Sequence, residues 1–464
     1  MRFVVIPFLC GAVSLTPLVV RAQETPPEQP VPVAPVAPVA PVPSAAPPAP
    51  SPAEAREPEV VQPLNTKEAA PNEAKNEAAK EGEAGKGDEE KPPIVGTCDD
   101  DPKPRICFSG SIEAAYSYNF NQPSNGVTAF RWYDFRHNVI GIQNALLTTG
   151  WNLGPTEGHV ALQLANFNEL FWDAGRGPEQ DLLWRLLQEV VAKWTTPYER
   201  LSIEGGSFNV PFGPEYNVAY LNWSWSAGNM FALMPYQIGG FRANFDIGNG
   251  WTARLGVYNG WDQIVTDNNN AKSVMASLEW ENPDDDETYF YLNYMIGNER
   301  DRGDTRGPYA RHTFDVYGQW HAVEKLFLRG HVFSGFEPTR GSTTDGWFGA
   351  SAATKVDLTP WFSIAARGDV VKTFSGDSGE NIFHADSLAA AGRPTSDSTL
   401  LGSATLTLDV HTADFASVRL EARHDRADFP LFFGGNVQKD ATSGEDIATK
   451  SNQTTVTAGL TTWF

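Results

Sequence analysis

The stretch FSGSIEAAYSYNF, Phe108 to Phe120, alternates with a period of two. Phe108, Gly110, Ile112, Ala114, Tyr116, Tyr118 and Phe120 fall on one face, and Ser109, Ser111, Glu113, Ser117 and Asn119 on the other. Successive side chains of an extended strand point to opposite sides, so the segment reads as a strand with one apolar and one polar face. The split recurs with Phe241, Ala243, Phe245 and Ile247 against Arg242, Asn244 and Asp246. Val274, Ala276, Leu278 and Trp280 oppose Ser273, Ser277 and Glu279, and Leu400 to Val410 repeats the pattern. A soluble β-sandwich also alternates, but segments of ~9–13 residues exceed its usual five or six and match a tilted membrane strand.

Connections alternate in length along the chain. Tight ones fall at 195–199, 248–250, 282–287, 321–325 and 358–360, and long ones at 121–134, 168–185, 209–236, 297–310, 375–398 and 428–452. Short turns at one end and long loops at the other are the pattern of a transmembrane barrel, with the short turns periplasmic. Segments starting near 108, 135, 158, 186, 201, 237, 251, 272, 288, 311, 326, 346, 361, 399, 417 and 453 give about sixteen strands. The expected fold is therefore an all-β, antiparallel, up-and-down barrel over 108–464. Alternation is lost around Asn144, where a bulge is expected. The 181–194 segment is read as a short loop helix running into the fourth strand.

Composition agrees. The chain has 464 residues, 41% hydrophobic and 20% charged, with 14 Trp, 27 Phe and 41 Gly. Beyond the first 20 residues no apolar run is long enough for a membrane-spanning helix. With 35 Lys+Arg against 57 Asp+Glu, the formal charge is −22. That excludes a nucleic-acid binder, which needs clustered base.

The segment 1–22 reads as a cleaved secretory signal: Arg2, an apolar stretch, then Val20-Arg21-Ala22. Residues 23–97 are rich in Pro, Ala and Glu, cannot bury enough apolar surface to offset ordering entropy, and are expected to form a disordered periplasmic arm. It is read as a spacer, or as a contact with the cell wall or a partner. Cys98 and Cys107 bound a short loop, 98–107. In an exported chain they suggest a local disulfide, with a metal site as the less favoured reading.

The chain ends Thr455 to Phe464, with Val456, Ala458, Leu460 and Phe464 on the apolar face. A closing strand ending in Phe resembles the signal read by the barrel-assembly machinery. EAAYSYNFNQPSN with YDFRHN, the run from FNVPFGPEYN through ALMPYQIGGFRANFDIGNGWTARLGVYNGWDQIVTDNNNAKSVMASLEW, and RLEARHD with TVTAGLTTWF are similar to the OmpL-like outer-membrane β-barrel porin family. The resemblance covers the barrel and not the arm. It implies a Gram-negative outer-membrane barrel with porin-like function, and carries over no catalytic motif or defined substrate.

On this register Arg242, Arg254, Arg311, Arg329, Arg367, Arg419 and Arg423 point inward, with Glu113, Glu204, Asp246, Glu279, Asp315, Asp369, Glu421 and Asp425. Opposed rows of Arg and acid would set a transverse field across a pore, or simply keep the wall wet. The row from Arg419 to Asp425 is the expected constriction wall. The loop 209–236 holds Phe212, Tyr216, Tyr220, Trp223, Trp225, Phe231 and Tyr236; it either folds into the barrel or packs on the rim or a neighbouring protomer. No metal, nucleotide or nucleophile motif stands out, so neither cofactor nor catalysis is expected.

The leading functional reading is passive diffusion of small hydrophilic solutes. The alternative is a plugged structural or adhesion barrel with an envelope-tethering arm, and a hydrolase is the remote third. Expected partners are outer-membrane lipid and lipopolysaccharide, the assembly machinery, further copies in a trimer, and no nucleic acid.

Overall fold

The computed structural model describes residues 105–464 apart from 167–185, 306, 341–343, 375–397, 440–443 and 445. The signal segment, the arm, Cys98 and residues 181–185 of the segment read as a loop helix running into the fourth strand lie outside the described residues. Cys107 is disulfide-bonded.

The first strands are β1 (Arg105–Asn119), β2 (Val139–Asn152), β3 (Thr156–Ala165), β4 (Leu187–Thr195) and β5 (Leu201–Asn209). Next come β6 (Gln237–Gly248), β7 (Trp251–Tyr258), β8 (Ser273–Asn282), β9 (Asp285–Gly297) and β10 (Arg311–Val323). Then follow β11 (Leu326–Pro338), β12 (Thr344–Thr359), β13 (Phe362–Phe374), β14 (Thr399–Ala413) and β15 (Ala416–Ala427). Two-residue strands β16 (Gln438–Lys439) and β17 (Asp446–Ile447) pair in the last long loop, and β18 (Asn452–Trp463) returns to the wall. Sixteen of these strands close one antiparallel barrel, each paired with its neighbour in the chain and β18 pairing both β15 and β1.

Closure follows from the solvent. Hydrocarbon offers no hydrogen bonds, so a sheet that crosses it cannot leave an edge. Phe464 extends the seam one residue past β18: its N–H donates to the Gly110 carbonyl at 3.0 Å, and its carbonyl accepts from the Gly110 N–H at 3.1 Å. The β6–β7 turn holds Gly248, Asn249 and Gly250 all at positive φ, and a Cβ on Gly250 would stand 1.9 Å from the Glu281 carbonyl oxygen. That geometry explains the GNG sequence.

The outward row is apolar and exposed, with Ile112, Ile142, Phe241, Leu255 and Leu406 among its members. Trp194, Trp320, Trp361 and Phe415 ring the short-turn end, and Phe314, Phe336, Phe348 and Phe374 the long-loop end, forming two aromatic girdles around a hydrocarbon-facing band. The expected bulge falls at Gln143: Glu113 pairs Asn144 while Ala114 pairs Ile142. Gln143 and Asn144 are in consequence both buried on the inner side.

The barrel should resist detergent until heated, so the unheated protein will migrate faster on gels than the boiled one. Deleting Phe464 removes two seam hydrogen bonds and a ring packed against Gly110. The shift to slow migration should then occur at a lower temperature; an unchanged transition would show that the seam does not depend on this residue.

Candidate functional site

The inner face is built by parity: in every strand the residues alternate to those meeting lipid. Glu113, Arg242, Asp246, Arg254, Arg311, Asp315, Arg329, Arg367, Asp369, Arg419, Glu421, Arg423 and Asp425 all take inward positions. Their surroundings divide them into two groups, and the divider is the β5–β6 loop, 210–236.

That loop enters the barrel. Along its length it is pinned in turn by side chains of different strands. The Asn293 amide of β9 donates to the Pro211 carbonyl at 2.8 Å, and the Gly213 N–H donates to Asp315 of β10 at 3.3 Å. Arg329 of β11 donates to the Pro214 carbonyl at 3.3 Å, and Glu215 pairs with Arg367 of β13. Asn217 then meets Gln163 of β3 at 3.3 Å. In the closed ring β3 and β11 are eight places apart in both directions, so the four residues from Pro214 to Asn217 cross the bore.

Beyond the crossing the loop lies over one half of the wall. The N–H of Tyr220 donates to Glu113 at 2.9 Å, those of Trp225 and Ser226 to Glu421 at 2.6 and 3.1 Å, and that of Asn229 to Asp369 at 3.2 Å. Arg423 donates to the side chains of Ser226 and Asn229 at 3.1 and 2.8 Å, and Arg419 donates to the Tyr220 carbonyl at 3.3 Å. Two short 3-10 turns, Ala219–Leu221 and Asn229–Leu233, let the backbone amides face the wall. The β1–β2 loop adds Arg131, bonded to Asp134 and Asp425 with all three side chains at 0% exposure.

This corrects one expectation. The row Arg419, Glu421, Arg423 and Asp425 faces inward but is covered, with exposures of 4, 2, 1 and 0%. It holds the loop rather than bordering open water, and Glu113, Asp315, Arg367 and Asp369 do the same. Asp246 caps the β6–β7 turn by accepting from the Gly248 N–H at 2.8 Å. Arg311 pairs with Glu337 at 2.9 Å near the long-loop end.

The opposite wall, β4 to β8, carries the second group. Glu204 pairs with Arg242, and Arg254 with Glu279 at 2.6 Å; these side chains keep 9–16% exposure, against 0% for Arg423 and Asp425. Lys193 and Glu157, paired at 3.2 Å, are about one-third exposed. Tyr216, in the middle of the crossing, is 47% exposed although residues on either side of it are fastened to opposite walls. Toward the long loops the interior becomes apolar. Phe208, Ile238, Met275, Met295, Phe333 and Trp347 point in from β5, β6, β8, β9, β11 and β12 and pack with Phe212, Met230, Leu233 and Met234 of the loop.

Several members were not readable in sequence. Arg131, Asp134, Gln143, Glu215 and Ser226 have no spacing that marks them; Arg131 and Asp425 are 294 residues apart. The aromatic density of the loop was the one signal that it would fold onto something.

A closed barrel with a girdled apolar exterior, a charged interior and an inward-folded loop defines an outer-membrane barrel of the porin class. Residues 105–464 match the family described as "Putative beta-barrel porin-2, OmpL-like", and the chain belongs to it. It is an outer-membrane protein. No curated protein matches the sequence. Among solved structures, the anion-selective porin from Comamonas acidovorans is 11% identical, covering 78% of this chain and 100% of its own with TM-score 0.51. The outer-membrane expressed OmpT of Vibrio cholerae is 9% identical, covering 79% and 99% with TM-score 0.50. At these identities the likeness is one of fold.

Glu421→Ala would orphan the buried N–H groups of Trp225 and Ser226 and remove a charge from a fully paired cluster, costing about 3–5 kcal/mol. Proteolysis within 210–236 should accelerate, while cleavage of the short turns should not. Glu215 also links the crossing to pH. Burial raises its pKa, but Arg367 and the Gly228 N–H outweigh this and hold it below the usual carboxylate range. A depressed carboxylate stabilises above the unfolded pKa and loses that stabilisation as pH falls through the folded one. Protection of the segment around Glu215 should therefore fall as pH drops below about 4, and Glu215→Gln should lessen that acid dependence.

Proposed function

We propose that the barrel passes small hydrophilic solutes by diffusion, through a bore that the β5–β6 loop narrows to the side bordered by β4–β9. The observation that carries this reading is the crossing at Pro214 to Asn217, with Tyr216 left accessible inside the wall. Ion pairs along the remaining wall keep it wettable and nearly neutral, which suits passage of polar solutes without trapping ions. The reading needs no catalytic step. It includes assembly through the barrel-insertion machinery, association into trimers and contact of the arm with the cell wall.

A second reading is a plugged barrel serving structure or adhesion, favoured by the apolar layer that loop and strands share near the long-loop end. The two readings part in planar bilayers. Refolded protein should give small, ohmic, long-lived conductance steps, and Tyr216→Ala should enlarge them. Absence of conductance from a verified barrel would favour the plugged form.

Selectivity should be weak. Wall charges beside the bore largely cancel, and about seven of the excess negative charges belong to the arm rather than to the barrel sequence. Charges beyond a Debye length of ~8–10 Å are largely screened. Reversal potentials should show a mild cation preference that fades as salt rises; a clear anion preference would place Arg329 or Arg242 at the narrowest point.

A further inference from the structure

One patch of the interior is unlike the rest. Many inward charges form ion pairs with one another. On β8–β11, Glu281 and Arg329 form no ion pair with a described residue, and between them stand tyrosines. In register Glu281 faces Tyr289, Tyr289 faces Gln319, and Gln319 faces Arg329, so the two charges sit three strand spacings apart, about 14 Å. The Tyr291 ring stacks on Tyr317 at 4.9 Å and 5°, and its hydroxyl donates to Glu281 at 2.5 Å. Tyr289 stands edge-on to both at 82° and 78°. Tyr317 is buried, but Tyr289 and Tyr291 remain half-buried. At the other end the Arg329 guanidinium lies 3.9 Å from the centre of the Trp223 ring. It donates to Gln319 at 2.7 Å and to the Pro214 carbonyl, leaving part of its donor fork free.

We infer that this strip is a binding site for a saccharide in transit, with a sugar ring stacking on Tyr291, the Tyr289 ring standing beside it, and the hydroxyls meeting Glu281 and Arg329. The inference rests on the channel reading above. Its physical basis is a process of matching. An anion would meet Glu281 and Glu279, and a cation would meet Arg329 and Arg254. A neutral pyranose avoids both repulsions. Each hydroxyl donates and accepts, so a saccharide of two or more rings meets the carboxylate at one end and the guanidinium at the other, while a C–H face lies on aromatic carbon. The stacked pair and the hydroxyl bond to Glu281 hold the rings in place before the solute arrives, which reduces the ordering cost of binding.

The test uses the full mature chain in two formats, with maltose as the ring probe and sorbitol as the open-chain control. In bilayers, maltose should interrupt the ion current saturably and sorbitol should not. In detergent, maltose should change tryptophan fluorescence saturably, because Trp223 borders the strip. Tyr291→Ala should weaken the maltose response about tenfold, the loss of one stacking contact, whereas Tyr291→Phe keeps the ring and should retain most of it. Normal conductance with no saturable maltose response overturns the site and leaves the channel standing. Saturable binding without any conductance supports the site and overturns the channel. An equal response to sorbitol, or a response to tyrosine amide and not to maltose, overturns the saccharide assignment.

Discussion

A backbone that crosses hydrocarbon must satisfy its own hydrogen bonds, and every level of this structure answers to that constraint. It forces the sheet to close, so β18 must find β1 across more than three hundred residues of chain. Closure then sorts side chains by parity into a lipid face and an interior, with no third option. The interior is consequently crowded with polar groups whose placement is set by strand geometry rather than by local preference.

Those groups must themselves be paired, and here the β5–β6 loop supplies what the wall lacks. Burying a carboxylate such as Glu421 or Glu113 is costly unless donors surround it. The loop backbone presents such donors in order, as Tyr220, Trp225, Ser226 and Asn229, to carboxylates on β1, β15 and β13. The loop amides find their acceptors in the wall carboxylates, which gain donors beyond those of their strand neighbours, Thr407 for Glu421 and Asn144 for Glu113. A loop of high aromatic content is held inside a polar lumen by these bonds, and its Phe212 and Phe231 pack against the apolar layer at the strand ends. Below the apolar layer, the wall from β5 to β8 closes its charges on itself, Glu204 with Arg242 and Arg254 with Glu279.

The alternation in Phe108–Phe120 and its repeats was sufficient to read sixteen strands, their inward residues and the bulge near Asn144, because a period of two is a local property of the chain. The tight turns were equally readable, since the GNG at 248–250 carries its own conformational requirement. The site was legible only as a list of inward charges. Nothing in the spacing of Arg419, Glu421, Arg423 and Asp425 distinguishes a row that borders water from one that lies beneath a loop, and Arg131 stands in a loop with no periodicity to place it.

The sequence by itself determined which face of each strand meets lipid, how many strands there are and where the chain turns, because these depend on neighbours two residues apart or on single turns. Only the tertiary structure decided which interior charges are spent on the loop, such as Glu421 and Arg423, and which, such as Glu281, are left facing the bore. That choice depends on where a 27-residue connection comes to rest inside a closed ring, and its contacts join residues from one hundred to two hundred positions apart. Burial and pairing at that range are properties of the assembled barrel, and no local pattern encodes them.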